Sequence, residues 1–93
     1  MDAERRQVTV LFTDMVGFTS FSEQSGEERA FNLMQSLALL MGDAVHDHGG
    51  VVQGFTGDGI MAVFGAPVAF EDAPLRACKA ALEIHRRLEA AAT

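Results

Sequence analysis

The sequence predicts an α+β domain in which an antiparallel β-sheet carries helices on one of its faces. Two observations lead to this prediction. Apolar, partly β-branched runs at 51–56 and 60–65 flank a Gly57-Asp58-Gly59 turn, and Asp-Gly between two such runs is typical of a tight type I′ hairpin. Apolar residues spaced three or four apart, as in amphipathic helices, fill most of the chain on either side of this hairpin.

The N-terminal part of the chain reads as a strand followed by a short helix. Residues 7–14 form the predicted strand, because they are short, apolar and β-branched up to the terminal Asp14. A tight turn at Gly17 then leads into a short helix. Ser20 and Glu23 have the spacing of a capping box at the start of that helix.

Amphipathic spacing predicts two longer helices. The first opens at a capping signal over 25–28 and stops at the glycine pair 49–50. Its predicted apolar face consists of Phe31, Met34, Leu37, Ala38, Met41, Ala44 and Val45. The last helix is predicted to be capped by Asp72 and to have Pro74 in its first turn. Glu83 and Arg87 are expected to pair on its solvent-exposed face. Its predicted apolar face consists of Leu75, Cys78, Ala81, Leu82, His85 and Leu88.

The element order β-α-α-β-β-α determines which strand ends meet. One further strand would complete a split βαβ, ferredoxin-like unit, an antiparallel sheet with helices on one face. In that unit the third strand lies beside the first and runs the opposite way. Asp14, at the end of the first strand, then lies next to the start of the third, just after Asp58. Topology therefore predicts two carboxylates close enough to share a divalent cation.

Composition limits the kind of protein this is. With 93 residues, 48% hydrophobic and 22% charged, the chain is at most one small globular domain. No apolar stretch approaches the ~20 residues that cross a bilayer, so no membrane contact is expected from this segment. A formal charge of −6 argues against nucleic acid as a partner. One cysteine, Cys78, excludes an internal disulfide and fits a cytoplasmic location.

The two aspartates and the turn after the first strand suit phosphate chemistry. Mg²⁺ commonly takes one or two carboxylates and completes its shell with water and substrate phosphates. Two such ions can clamp the attacking and leaving oxygens of a nucleotidyl transfer. The turn Met15–Thr19 leads into a helix N-terminus, where backbone N–H groups and the Thr19 hydroxyl can bind a polyphosphate. Gly17 leaves room for the phosphate to approach the backbone.

Two segments carry a resemblance to a known family. They read LFTDMVGFT at 11–19 and FTGDGIMAVFG at 55–65. Both are similar to the signature segments of the class III nucleotidyl cyclases, the adenylate and guanylate cyclase catalytic domain, and the resemblance covers nearly the whole chain. It implies a palm-type fold and conversion of ATP or GTP to the 3′,5′-cyclic nucleotide and pyrophosphate, a step in cyclic-nucleotide signalling.

The resemblance also implies roles for particular residues. Asp14 and Asp58 would hold two Mg²⁺ or Mn²⁺ ions, with the Met15 backbone carbonyl as a further ligand. One ion would lower the pKa of the ribose 3′-hydroxyl and the other would neutralise the β- and γ-phosphates. The family's phosphate-binding turn corresponds to a short run of three residues. These are Gly17, Phe18 and Thr19.

The chain departs from the family pattern in two respects. The family domain is about twice as long, so residues 1–93 are expected to be the N-terminal half of a single cyclase domain, without the asparagine and arginine that stabilise the transition state. Second, Gly54 stands where many adenylate cyclases have a purine-contacting lysine, and Gln53 is a weak substitute. Family active sites form across a dimer interface. We therefore expect a homodimer or a paired cyclase half, with the 93-residue piece inactive alone, and marginal or oligomeric because its first strand is an open sheet edge.

Two other classes of function remain as alternatives. One is a cyclase-like module that dimerises or binds nucleotide without turnover. The other is a phosphoacceptor receiver domain, since an aspartate at the end of an apolar strand also suits that role. The predicted hairpin counts against a receiver, which places a crossover helix between parallel strands. A diguanylate cyclase shares the palm plan, but the sequence has no Gly-Gly-Asp/Glu-Glu-Phe turn.

Overall fold

The three strands and three helices follow one another in the predicted order. The computed structural model describes residues 6–92. In that part of the chain the elements are β1 (Thr9–Phe12), α1 (Phe18–Ser25), α2 (Glu27–Asp47), β2 (Val51–Phe55), β3 (Ile60–Phe64) and α3 (Ala73–Ala92). The predicted α+β class, with its β-α-α-β-β-α order, is confirmed. The first strand is shorter than the predicted 7–14, because its regular pairing stops at Phe12.

The strands form a sheet in the order β1-β3-β2 with both neighbouring pairs antiparallel. The third strand thus lies beside the first and runs the opposite way, as predicted, and the antiparallel pairing excludes the receiver-domain alternative. In the β1–β3 register Thr9 faces Phe64 and Phe12 faces Met61. β1 therefore lies at the sheet edge within the described residues.

The hairpin between β2 and β3 forms as predicted, but with a different turn. Thr56 N–H donates to the Gly59 carbonyl at 3.0 Å and closes the turn. A type I′ turn needs positive φ at both central residues, whereas here Gly57 has φ +92° and Asp58 does not have positive φ. β2 also carries a bulge at Gln53, since Val52 pairs with Ala62 and the next paired residue is Gly54.

The core lies between the helices and one face of the sheet. Its buried residues come from α2, α3 and alternate positions of β3, because successive strand residues point to opposite faces. They are Met41, Ala44, Val45, Ile60, Ala62, Phe64, Ala73, Ala77, Ala80 and Ile84. α2 packs largely as its periodicity predicted, but Phe31 is 63% exposed, and Ala38 lines a hollow with it instead of joining the core cluster.

The apolar face predicted for α3 is wrong in part. The residues that pack inward are mostly alanines, followed by Ile84. They are Ala73, Ala77, Ala80 and Ile84. The predicted stripe residues Leu75 and Leu82 are 53% and 70% exposed, and Cys78 and His85 are exposed as well. The cause is that alanine contributes little to a hydrophobic pattern although its small side chain lets a helix pack closely, so the larger leucines dominated the prediction.

Charged contacts tie α3 to its surroundings. The predicted Glu83–Arg87 pair forms at 3.2 Å, and Glu83 also binds Arg86. Arg87 reaches across to Asp47 at the end of α2, at 2.7 Å. Asp72 directly precedes α3 as predicted, and its side chain accepts a hydrogen bond from Arg76 at 2.8 Å. Surface pairs of this kind each contribute little to stability.

The opposite face of the sheet is open and apolar. Val10 and Phe12 of β1 are 44% and 64% exposed, and on β3 the residues opposite them, Val63 and Met61, are half-buried. Among the described residues no helix covers this face, since the core lies entirely on the other side. No helix in the described range is long and apolar enough to cross a membrane.

Candidate functional site

The end of β1 is fastened to the start of β3 by two hydrogen bonds. The N–H of Thr13 donates to the Ile60 carbonyl at 3.0 Å, and the N–H of Ile60 donates to the Thr13 hydroxyl Oγ1 at 2.9 Å. Asp14 follows Thr13 directly, and Asp58 precedes Ile60 by two residues. These bonds therefore hold the two acidic positions at the same corner of the sheet, as the topology predicted.

Gly59 allows this close approach. A Cβ atom at this position would lie 1.8 Å from the Thr13 carbonyl oxygen and 2.6 Å from its carbon. No L side chain can be placed there without moving backbone atoms. Sequence reasoning missed both Thr13 and Gly59 as parts of the site. The glycine after Asp58 was visible in the motif, but only the register of β1 shows what it packs against.

The Asp58 carboxyl shifts the ionisation of Asp14. The pKa of Asp14 is raised above its ordinary value of 3.8, chiefly by its hydrogen bond with the Asp58 side chain, then by the negative charge of Asp58, and then by partial desolvation. A hydrogen bond with the Met15 backbone opposes the shift. Asp14 is exposed and Asp58 half-buried. Two neighbouring like charges repel each other, and a divalent cation placed between the carboxylates would relieve the repulsion.

The acidic pair lies at the rim of a hollow of about 230 Å³. Its lining comes from the end of β1 and the residues after it, from Asp58, and from α2 and α3, whose contributions are apolar except for His85. A larger hollow of about 480 Å³ lies between α2 and the hairpin. Its lining is apolar apart from Gln35 and carries no charged side chain, so the candidate site is the smaller hollow.

The turn after β1 ends in an open helix N-terminus. Gly17 precedes α1 with φ +79°, a conformation that favours glycine, and its carbonyl accepts the Phe21 N–H at 3.0 Å. α1 begins at Phe18, so Ser20 is already inside the helix and the predicted capping box with Glu23 does not form. Within the described residues no side chain caps α1, and its first turn contains no acid. Its N–H groups suit an anion.

The donor set fits a hard divalent cation. Within residues 6–92 there is no group of three or more histidine, cysteine or acidic side chains that could form a metal cage. The pair Asp14 and Asp58 offers oxygen ligands only, and Met15 lines the same hollow. Mg²⁺ and Mn²⁺ prefer oxygen ligands and retain positions for water and phosphate, whereas structural zinc takes four nitrogen or sulfur ligands. The residues present therefore fit the expected ions.

Fold and site together define an α+β domain of ferredoxin-like topology with an acidic pair at the junction of β1 and β3. The family model of the adenylate and guanylate cyclase catalytic domain matches residues 2–93. The chain belongs to this family of class III nucleotidyl cyclase domains, as the two signature segments suggested.

Relatives and solved structures agree with this assignment. Adenylate cyclase 1 of Rhizobium meliloti (strain 1021) is 36% identical over 88 residues, which cover 95% of this chain and 13% of that protein. An adenylate cyclase of Anabaena cylindrica is 37% identical over 62 residues, covering 67% of this chain and 12% of the relative. The guanylyl cyclase Cya2 superimposes with a TM-score of 0.85 at 36% identity, over 91% of this chain and 44% of that one.

A dimeric guanylyl cyclase domain is also similar to this chain in structure. It comes from the RhoGC fusion protein of the aquatic fungus Blastocladiella emersonii and matches with a TM-score of 0.85 at 26% identity. The match covers 92% of this chain and 49% of that domain. The chain thus spans about half the length of the solved cyclase structures it resembles, and about an eighth of the length of the two curated relatives.

Proposed function

We propose that this chain is the metal- and phosphate-binding N-terminal half, residues 1–93, of a cyclase domain that converts ATP or GTP to the 3′,5′-cyclic nucleotide and pyrophosphate for signalling. The meeting of Asp14 and Asp58 beside the open N-terminus of α1 carries this proposal. Membership of the cyclase family supports it. We call the longer protein that would contain this chain the parent protein.

Each residue of the site has a definite task in this proposal. Asp14, Asp58 and the Met15 carbonyl would hold two Mg²⁺ or Mn²⁺ ions. Bound there, the ions would activate the ribose 3′-hydroxyl and neutralise charge on the triphosphate. The Asp14–Asp58 pair sets the negative field that attracts the cations, and the hydrogen bonds of Thr13 with Ile60 keep the two carboxylates in register.

The substrate phosphates bind at the N-terminus of α1 in this proposal. Gly17 lets the phosphate approach the backbone, and the N–H groups of Phe18 and Thr19 donate to phosphate oxygens. Thr19 is exposed, so its hydroxyl can add a donor. The first turn of the helix contains no carboxylate that would repel the anion.

The choice between ATP and GTP does not follow from these residues. Relatives named adenylate cyclases and neighbours named guanylyl cyclases both match the chain. Gly54 supplies no side chain to a purine, and Gln53 occupies the bulge next to it with its side chain exposed. Both nucleotides therefore belong in any assay.

We propose further that the active site is completed by another cyclase half, either a second copy or a paired domain. The open apolar face with Val10 and Phe12 exposed supports this, because such a face is usually covered in a stable protein. The 93-residue segment alone would then form no cyclic product. The free, exposed Cys78 fits a reducing cytoplasmic location.

The test is turnover of the parent protein with Mn²⁺ and ATP or GTP, following the cyclic nucleotide by chromatography. Asp14→Asn and Asp58→Asn each remove one ligand charge and should lower turnover by more than about 100-fold, since loss of a mere supporting residue around a metal costs roughly 10–100-fold. Asp43→Asn, at an exposed position of α2, is the matched control and should leave turnover unchanged. Near-wild-type turnover in either site variant would overturn the mechanism.

A parent protein that binds Mn²⁺ and nucleotide but releases no cyclic product would indicate the non-catalytic alternative. This outcome differs from failure of the metal site. Isothermal titration with Mn²⁺ separates these two outcomes. In a non-catalytic binding module, Mn²⁺ affinity still falls when Asp14 or Asp58 is substituted, whereas it does not change if the site is wrongly assigned.

A further inference from the structure

The hydrogen bonding between β1 and β3 changes at Thr13, where a side chain replaces a backbone acceptor. The register continues from Phe12 opposite Met61 to Thr13 opposite Ile60, and the Thr13 N–H donates to the Ile60 carbonyl in the ordinary way. In an antiparallel hydrogen-bonded pair the return bond runs from the partner's N–H to the backbone carbonyl. Here the Ile60 N–H donates to the Thr13 side-chain hydroxyl instead, at 2.9 Å.

This exchange releases the Thr13 carbonyl from the ladder. The carbonyl oxygen lies against Gly59, where a Cβ would be 1.8 Å away. The peptide between Thr13 and Asp14 is thereby turned out of the strand, and the regular strand ends at Phe12. Ile60 is fully buried, so its N–H requires an acceptor, and the threonine hydroxyl supplies one.

We infer that Thr13 is a positioning residue for the metal site: its hydroxyl replaces its own carbonyl in the ladder, so that the chain turns and the Asp14 carboxylate reaches Asp58. The inference rests on the proposed function. Thr13 itself supplies no ligand in this scheme. Without the hydroxyl, the buried Ile60 N–H is left to recruit the Thr13 carbonyl, and the strand continues by one residue. Because successive strand residues point to opposite faces, such an extension redirects Asp14 away from Asp58.

The experiment compares Thr13→Val with Thr13→Ser in the parent protein. Valine keeps the branched shape but has no acceptor, while serine keeps the hydroxyl and loses only a methyl group. Mn²⁺ binding is measured without nucleotide, from the electron paramagnetic resonance signal of the free ion. We expect Thr13→Val to weaken Mn²⁺ binding roughly 10–100-fold, as loss of a ligand-orienting partner does, and Thr13→Ser to restore it to near wild type.

A second readout separates positioning from general stability. Turnover of Thr13→Val should recover as the Mn²⁺ concentration rises, because the ligands are displaced but present, whereas Asp14→Asn should not recover. If the valine variant does not fold by circular dichroism, Thr13→Cys takes its place, since sulfur is a weak acceptor and should give intermediate affinity.

The outcomes distinguish this inference from the proposed function. Wild-type Mn²⁺ affinity in Thr13→Val, or equal loss in Thr13→Val and Thr13→Ser, would overturn the positioning role while leaving the metal site intact. If the wild-type protein and Asp14→Asn bind Mn²⁺ equally, the proposed metal site is wrong and the inference is overturned with it.

Discussion

Substituting Gly59 by alanine tests whether the close contact between the hairpin turn and β1 holds the site together. The new Cβ would lie 1.8 Å from the Thr13 carbonyl oxygen. Relief requires the two segments to separate by about 1.2 Å, the difference between 1.8 Å and the 3.0 Å below which real Cβ contacts essentially never occur. That movement would stretch the Thr13–Ile60 hydrogen bonds of 3.0 and 2.9 Å beyond useful length.

The expected cost combines steric strain and lost hydrogen bonds. Overpacking costs about 1–3 kcal/mol and each of the two lost hydrogen bonds about 1 kcal/mol, so Gly59→Ala should destabilise the domain by roughly 3–5 kcal/mol. In a domain of cyclase size this lowers Tm by roughly 6–20 °C. Because a 1 Å misplacement at a reactive site can cost about 100-fold, cyclase turnover should fall further than stability alone explains.

Differential scanning calorimetry of the parent protein measures this effect, with Gly54→Ala as the matched control. A Cβ at Gly54 meets nothing within 4 Å, and the residue has no positive φ, so its Tm should stay within about 2 °C of wild type. A Tm for Gly59→Ala that equals that of Gly54→Ala would refute the contact, and with it the reason for placing Asp14 beside Asp58.

Three further predictions concern charge and association. Because the folded pKa of Asp14 is raised above 3.8, the associated stabilisation is present at low pH and is lost as pH rises through the folded value. In EDTA, the Tm of the wild type should therefore fall as the pH rises through the folded pKa of Asp14, whereas the Tm of Asp58→Asn should not. Equal dependence of Tm on pH in the two proteins would exclude the carboxyl interaction. The pKa of Glu83 is lowered from 4.5 to about 2 by its hydrogen bond with an arginine, so its stabilisation is present above pH 4.5 and lost towards pH 2. Glu83→Gln should flatten the acid limb of the Tm profile, and an unchanged limb would contradict the pairing. Phe12→Glu, on the open sheet face at 64% exposure, should shift the parent protein towards monomer in sedimentation velocity, while Leu82→Glu at 70% exposure on α3 should not; equal behaviour would place the interface elsewhere.

Most of the fold was predictable because its signals are local. The hairpin residues, the long periodicity of α2 and the glycine pair 49–50 each fix an element without reference to the rest of the chain. Adjacency of Asp14 and Asp58 followed from topology, since a ferredoxin-like order leaves few ways to place the first strand. The turn type at Gly57 could not be predicted. An Asp-Gly sequence preceded by another glycine suits a type I′ turn, and it equally suits the observed turn, in which only the first central residue has positive φ.

What sequence could not supply depends on packing across the fold. The inward face of α3 is set by how closely its alanines approach the sheet, and that approach is decided by the residues they meet, not by their own hydrophobicity. The roles of Thr13 and Gly59 depend on a register between segments more than forty residues apart. No window of local sequence contains that information.

The β1–β3 pairing has a consequence for when the site comes into being. Phe12 and Met61 become neighbours only after the intervening chain, which includes α1 and α2, has closed into a loop. Closing this loop costs conformational entropy, whereas a helix or a hairpin forms without closing a long loop. The helices and the hairpin consist of local contacts and need no such closure. In the metal site proposed above, a molecule whose first strand is undocked would present two separated acids, so its affinity for divalent ions would report completed folding.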